Sequence, residues 1–565
     1  MSFKDVQIAF AGHNRPEDID SLDAARASLT SAFDRLKTTG LVSGTLITGV
    51  ADGTDLLAAA AWDSAGLGPV HAVYPYLKAP QAEVVATHGR TDTWLDGDSY
   101  DSAGRSAHLA LTRWLVESAD LLLVVWGGEA ARGPGGTADA VSLALKRGVA
   151  VLWIRPPDYD GLYLITPPDP DDDISFNEFL RQIESGAVPV AETATPERIA
   201  HHLHMRGFDR HSPFDKADDT RSNRLLDWLD DIAHKTVWKT YALFHRLAGG
   251  TREKPAPAPG APGDLENQQG FQILSRAYAR ADRLAIRLSA VYRTQQLYLL
   301  CGAVAATVVG SSPAIWEENH VIAVLIELGL AAVAVLVWSG SARARRHERW
   351  SDARRLAEQL RLERTAWAVG LTAIDPQGSD IMGPAACQAR AWRRRAGPAV
   401  GRFDSDRVTR WGDWAIGELV ISQANYHRDQ GRRNHIIAHR MHQLENVVFI
   451  TFITILASFA LGSTVGAVFE FEMPKWIGGA LIMTSAVVPA IGAAVLALQA
   501  NLAFSERSRE SQFLATQLDT IRSKMPEHPR LHDYQRAASA AIRLHNTEQD
   551  MWAENAARRP LIKGA

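Results

Sequence analysis

Three stretches of this 565-residue chain combine glycine with small polar side chains in a way that suits phosphate binding. They are Gly12-His13-Asn14-Arg15-Pro16, Gly49-Val50-Ala51-Asp52-Gly53-Thr54-Asp55, and Trp126-Gly127-Gly128 leading to Gly133-Pro134-Gly135-Gly136-Thr137-Ala138-Asp139. Glycine lets a backbone approach a phosphate closely, and free N–H groups with the Thr54 and Thr137 hydroxyls can hold its oxygens. Arg15 can supply the opposing charge. The carboxylates Asp52, Asp55 and Asp139 offer a second chemistry, since one set against a developing oxocarbenium ion would help cleave a glycosidic bond. Each can equally cap a helix or bind a ribose hydroxyl, and that is the preferred reading. No GxxxxGK[ST] is present and no GxGxxG follows the first apolar run, which argues against a P-loop NTPase and an ordinary dinucleotide site.

The elements that must position these stretches are legible around them. Apolar runs of strand length at 6–12, 45–49, 69–76, 119–126 and 149–154 alternate with amphipathic helical stretches. That rhythm predicts an α/β, Rossmann-like domain over residues 1–155, with a parallel sheet covered on both faces. Ligands bind such sheets beyond the carboxyl ends of the strands, where the three glycine stretches fall.

Charge divides the chain. Up to residue 265 there are 25 Lys and Arg against 37 Asp and Glu; beyond it there are 35 against 27. The basic half holds four apolar stretches, at about 295–316, 320–341, 447–469 and 476–501, each near the roughly 20 residues needed to cross a bilayer. Short acidic connectors join them in pairs, which predicts an all-α membrane domain of two hairpins. Arginines crowd the other ends, so both termini and the segment between the hairpins are expected on the cytosolic side of a bacterial inner membrane. No signal peptide is expected at the N-terminus. The two cysteines, Cys301 and Cys387, are expected to be reduced.

The predicted order after the first domain is a helical or irregular extension at 156–250 and a Pro-rich linker at 251–264. A first repeat at 265–370, a cytosolic helical connector at 371–445, a second repeat at 446–525 and a C-terminal helix at 526–565 follow. The similarity of HERWSDARRLAEQL (347–360) to SERSRESQFLATQL (505–518) points to duplication. Within the spans, Glu327 is read as pore-facing or interfacial, because an ionised carboxylate in the bilayer usually faces a bundle interior or water. Pro489 is read as a kink. His435, His439 and His442 share a helical face, yet nothing completes a ligand set, so no metal is expected there.

The motifs GHNRP, TGVADGTDLLAAAAW, ADLLLVVWGG and GPGGTADAVSLA resemble the SLOG superfamily, Rossmann-like proteins that include DprA-like proteins, cytokinin-activating phosphoribohydrolases and nucleotide sensors of bacterial conflict systems. The two-hairpin half resembles the SLATT family of predicted membrane effectors. The resemblance implies a sensor for a nucleotide second messenger or NAD-derived ligand, joined to a homo-oligomeric pore-forming effector in antiviral defence, with no nucleic-acid partner. The phosphoribohydrolases carry PGGxGTxxE with a catalytic glutamate; here Pro134–Asp139 lacks the second glycine spacing, and Asp139 replaces that glutamate. A membrane-tethered N-glycosidase is the enzyme alternative, and a ligand-independent channel or scaffold is the third.

Overall fold

A computed structural model describes residues 3–12, 21–78, 89–96, 105–131, 133–157, 159, 161–166, 176–185, 191–205, 247–248, 260–315, 320–343, 346–372, 384–469 and 474–558. The first half alternates β1 (Val6–Gly12), α1 (Leu22–Thr38), β2 (Gly44–Thr48), α2 (Thr54–Ala65), β3 (Val70–Tyr74), β4 (Thr91–Leu95), α3 (Arg105–Ser118), β5 (Leu121–Val125), α4 (Thr137–Lys146) and β6 (Ala150–Ile154). Then come β7 (Leu162–Ile165), α5 (Phe176–Glu184), β8 (Glu192–Thr193) and α6 (Pro196–Met205). The five strands expected from apolar runs are present, and the apolar β5 and β6 are buried at every position, as central parallel strands must be.

The sheet order is β8-β7-β6-β5-β1-β2-β3-β4-β9. The strands from β6 across to β9 run parallel, while β7 and β8 are antiparallel to their neighbours. Chain direction across the sheet reverses between β1 and β5, and that switch point is where α/β sheets open a crevice. The ninth strand, β9 (Gly401–Phe403), comes from the segment between the two apolar hairpins and pairs with β4, Leu95 opposite Phe403. Three residues without alternation give no strand signal, so sequence patterning read 371–445 only as a helical connector.

The second half contains α7 (Gln269–Ser311), α8 (His320–Arg343), α9 (Arg346–Ala368), α10 (Pro384–Ala396), β9, α11 (Ser405–Ile416), α12 (Ser422–Phe469), α13 (Lys475–Leu502), α14 (Phe504–Ser523) and α15 (Leu531–Arg558). A π-helical turn, Gly417–Ile421, joins α11 to α12. The repeat is visible in three dimensions. In each copy a long helix (α7 or α12) begins outside the apolar region and runs into it, a second apolar helix (α8 or α13) returns, and a polar helix (α9 or α14) packs back along the first. The stretches 347–360 and 505–518 thus occupy equivalent places.

Among the described residues, four helices are long and apolar enough to cross a membrane. No residue in the apolar window of α7 or α12 is buried inside the chain, so those surfaces need an apolar environment that the chain itself does not supply. α7 and α13 pack together centrally, with α8 beside α7 and α12 beside α13. At the connector ends the backbones meet closely: a methyl group on Gly479 would come within 1.9 Å of the Ala314 carbonyl oxygen.

The two halves share one hydrophobic core. On one face of the sheet, α1, α2 and α6 cover Ile8, Phe10, Leu46 and Leu123. On the other, Trp114 of α3 and Val141 of α4 join Phe271 of α7, Trp367 of α9, Trp411 and Trp414 of α11, and Tyr534 of α15. The rings interlock: Trp114 meets Phe403 of β9 edge-on at 4.8 Å, and Phe403 meets Trp411 edge-on at 5.4 Å.

Candidate functional site

The glycine stretches converge at the switch point as topology requires. Register places Gly12 at the end of β1 opposite Val125 of β5, while Phe10 lies opposite Thr48 of β2. A methyl on Gly12 would lie 2.2 Å from the Thr54 hydroxyl, and one on Gly49 would lie 3.1 Å from the Asp55 carboxylate. These glycines are therefore fixed by close packing between the β1 and β2 ends and the start of α2. Arg15 lies outside the described residues.

Asp55 knits this loop. It is 6% exposed, accepts a hydrogen bond from the Ala51 N–H at 3.4 Å and is also held by Thr48 and the Gly12 backbone. Burial outweighs these bonds and pushes its carboxyl up to about 7. At neutral pH it is thus about half ionised. Asp52 is exposed at the loop surface, next to Gly53 with φ +93° at the cap of α2. Val50 has φ +44°, a left-handed conformation that a β-branched residue rarely adopts and that costs about 1–3 kcal/mol. Such strain persists only where the surroundings impose it, and here Val50 is held buried in a small cluster with Ala72 and Tyr74.

The third stretch is built differently. Trp126 is 2% exposed and belongs to the core; its indole N–H donates to the Glu129 carbonyl at 2.8 Å, and its own carbonyl accepts from Trp153 at 2.7 Å. Gly127 is partly buried just beyond it. Gly135 has φ +85° and lies against α3, where a methyl would come within 2.3 Å of the His108 backbone. The Asp139 carboxylate accepts from the Gly135 N–H at 2.7 Å and so closes its own loop. Gly136 and Thr137 begin α4 with no side-chain cap hydrogen bond among the described residues. α2 also lacks a side-chain cap. The N-termini of α2 and α4, both without a side-chain cap, follow β2 and β5 at the same end of the sheet.

In the membrane half, Glu327 is partly buried against the backbone of α7; a methyl on Gly310 would meet its carboxylate at 2.7 Å. It sits between two helices of one hairpin. Pro489 is exposed on α13, which continues as helix through it. His435, His439 and His442 are exposed on α12, and His442 pairs with Glu445 at 3.3 Å.

Residues 276–373 match the model of a family described as a protein of unknown function (DUF4231). The match spans most of α7 and all of α8 and α9, one complete hairpin with its polar arms. No match to a SLOG or SLATT family model accompanies it. No curated protein matches the chain, and no solved structure does.

Proposed function

We propose that the chain is a ligand-gated membrane effector of SLOG-like sensor and SLATT-like effector type, in which a nucleotide-derived signal at the glycine loops drives the four spans to oligomerise or open. The observation that carries this reading is β9. The strand lies between the two hairpins in sequence and completes the sheet that holds the loops, so displacement of the sheet is felt by both hairpins. The uncapped α2 and α4 termini favour phosphate, and the outward apolar faces of α8 and α12 favour neighbouring copies or lipid. A ligand shifts such an equilibrium only through unequal affinity for the two states, which requires loops that close on it. The arginine-flanked ends favour a cytosolic position for both termini under this reading, where a pore would arrest an infected cell.

The test is dye release from proteoliposomes of the full chain across a panel of linear and cyclic nucleotides and NAD derivatives. Release triggered by one member, and lost in Gly136→Ala/Thr137→Ala, is the expected outcome. Vesicles that stay tight under every compound overturn the proposal, and liberation of free base points instead to an N-glycosidase.

A further inference from the structure

Outside the sheet, three side chains from distant positions meet where α15 crosses the start of α12. They are His427 of α12 and His545 and Glu548 of α15, with one potential ligand atom from each lying within 4.8 Å of the others. His427 Nε2 is 3.7 Å, and His545 Nδ1 3.6 Å, from Glu548 Oε2. Four ligands held tetrahedrally at about 2.1 Å from a Zn2+ ion stand roughly 3.4 Å apart, so small side-chain adjustments close this set around an ion.

The protonation pattern is already that of a ligand set. His545 Nε2 lies 3.0 Å from the Leu419 carbonyl, which can only accept, so the proton resides on Nε2 and the Nδ1 lone pair faces Glu548. A histidine whose second nitrogen donates to a backbone carbonyl is the arrangement that orients metal-binding imidazoles. Leu419 belongs to the π-helical turn below α12, a distortion that recurs at functional sites. His427 is 4% exposed, its Nδ1 has no hydrogen-bond partner among the described residues, and its 3.7 Å approach to Glu548 is too long for a hydrogen bond. Buried polar atoms are ordinarily satisfied, so the protein alone leaves this imidazole unexplained.

The neighbouring Glu358 is paired with Arg354 at 2.6 Å and Arg361 at 2.8 Å.

We infer that His427, His545 and Glu548 form a binding site for a divalent transition metal of the Zn2+ type, which clasps the C-terminal helix to the root of the third apolar span. Two imidazoles and one carboxylate suit this ion, with water in the fourth position. His427 and His545 are 118 positions apart and straddle the second hairpin, so occupancy would fix that hairpin's base against the rest of the chain.

The experiment strips the full-length protein in detergent with a chelator and titrates it with Zn2+ or Co2+ alone. One equivalent per chain is expected to bind, to raise the thermal midpoint reversibly and, for Co2+, to give a tetrahedral visible spectrum. His427→Gln and Glu548→Gln are each expected to weaken binding at least about tenfold and to abolish the spectrum. A His435→Ala/His439→Ala/His442→Ala variant, altered only on the exposed face of α12, should bind as the wild type does. No saturable binding, an octahedral Co2+ spectrum, or undiminished binding in His427→Gln and Glu548→Gln overturns the inference. The wild-type Co2+ spectrum needs no substitution, so a poorly folding variant does not blunt the test.

Discussion

Asp120, just before β5, is held by Arg390, 270 residues later in the chain, with Nε 3.0 Å from Oδ1. Arg394 approaches the other carboxylate oxygen at 3.3 Å, and that oxygen also accepts the Gln7 N–H at 3.0 Å. The floor of the sheet is thereby tied to α10, between the two hairpins. Breaking one partner of a buried ion pair leaves the other charge uncompensated, at a cost of about 3–5 kcal/mol. Asp120→Ala should therefore lower the thermal midpoint of the detergent-solubilised chain strongly. Arg410→Ala, which removes the exposed pair to Asp264, should change stability by no more than about 1 kcal/mol. Equal shifts in the two variants would remove this cluster as the link between the halves.

Adjacent glycines in the third loop should respond in opposite ways. Gly135 combines φ +85° with a backbone contact from α3, so Gly135→Ala forces α3 and α4 apart and should destabilise by at least about 1–3 kcal/mol. Gly136 has φ −72°, and its added methyl meets the Gly133 carbonyl at 3.3 Å and the Ala131 methyl at 3.5 Å, near-ordinary van der Waals contacts, so Gly136→Ala should fold normally. Thermal melts of the two variants check this. A Gly135→Ala chain as stable as wild type would show that the loop yields easily.

The sheet and the spans were legible because each is a continuous apolar pattern: β5 reads LLLVV, and the spans run about twenty residues without interruption. The glycine edge was legible too, since loops after parallel strands must share one side. What local patterning could not reveal depended on distance. The strand Gly401–Phe403 is too short to show a period, and it is recruited by Trp114 and Trp411 packing around Phe403. Trp126 read as a ligand-facing residue because it ends a strand run and opens a glycine stretch, but its large ring is drawn into the core beside Trp153. The exposed histidines of α12 form a visible stripe, whereas His427 gains its neighbours only when α15 folds back.

Asp55 makes the stability of the sheet edge depend on pH. Its folded value of about 7 lies above the unfolded 3.8, so the stabilising contribution is complete below about pH 4 and is lost as pH rises to about 7. Each unit of difference is worth about 1.4 kcal/mol. Asp55→Asn carries no titrating group, so its stability relative to wild type should rise between pH 4 and pH 7 and then level off. Melts at pH 5 and pH 8 measure this; a difference that stays constant, or falls toward pH 8, would show that the carboxyl ionises with its ordinary value.

The hold on β9 offers a way to separate binding from response. Arg407 donates to the Val400 carbonyl at 2.8 Å and to the Arg402 carbonyl at 3.1 Å, while its guanidinium lies 3.8 Å from the Trp411 ring centre and 4.5 Å from that of Phe403. A lysine cannot make both carbonyl bonds and the flat stack at once, so Arg407→Lys should cost about 1–3 kcal/mol despite keeping the charge. The switch-point loops lie beyond other strands, so ligand affinity should stay within about twofold by thermal-shift titration. If displacement of the sheet reaches the hairpins through β9, dye release at saturating ligand should fall in this variant while affinity holds. Release that remains at the wild-type level would mean that the signal travels by another route, and the Asp120–Arg390 tie is the contact to break next.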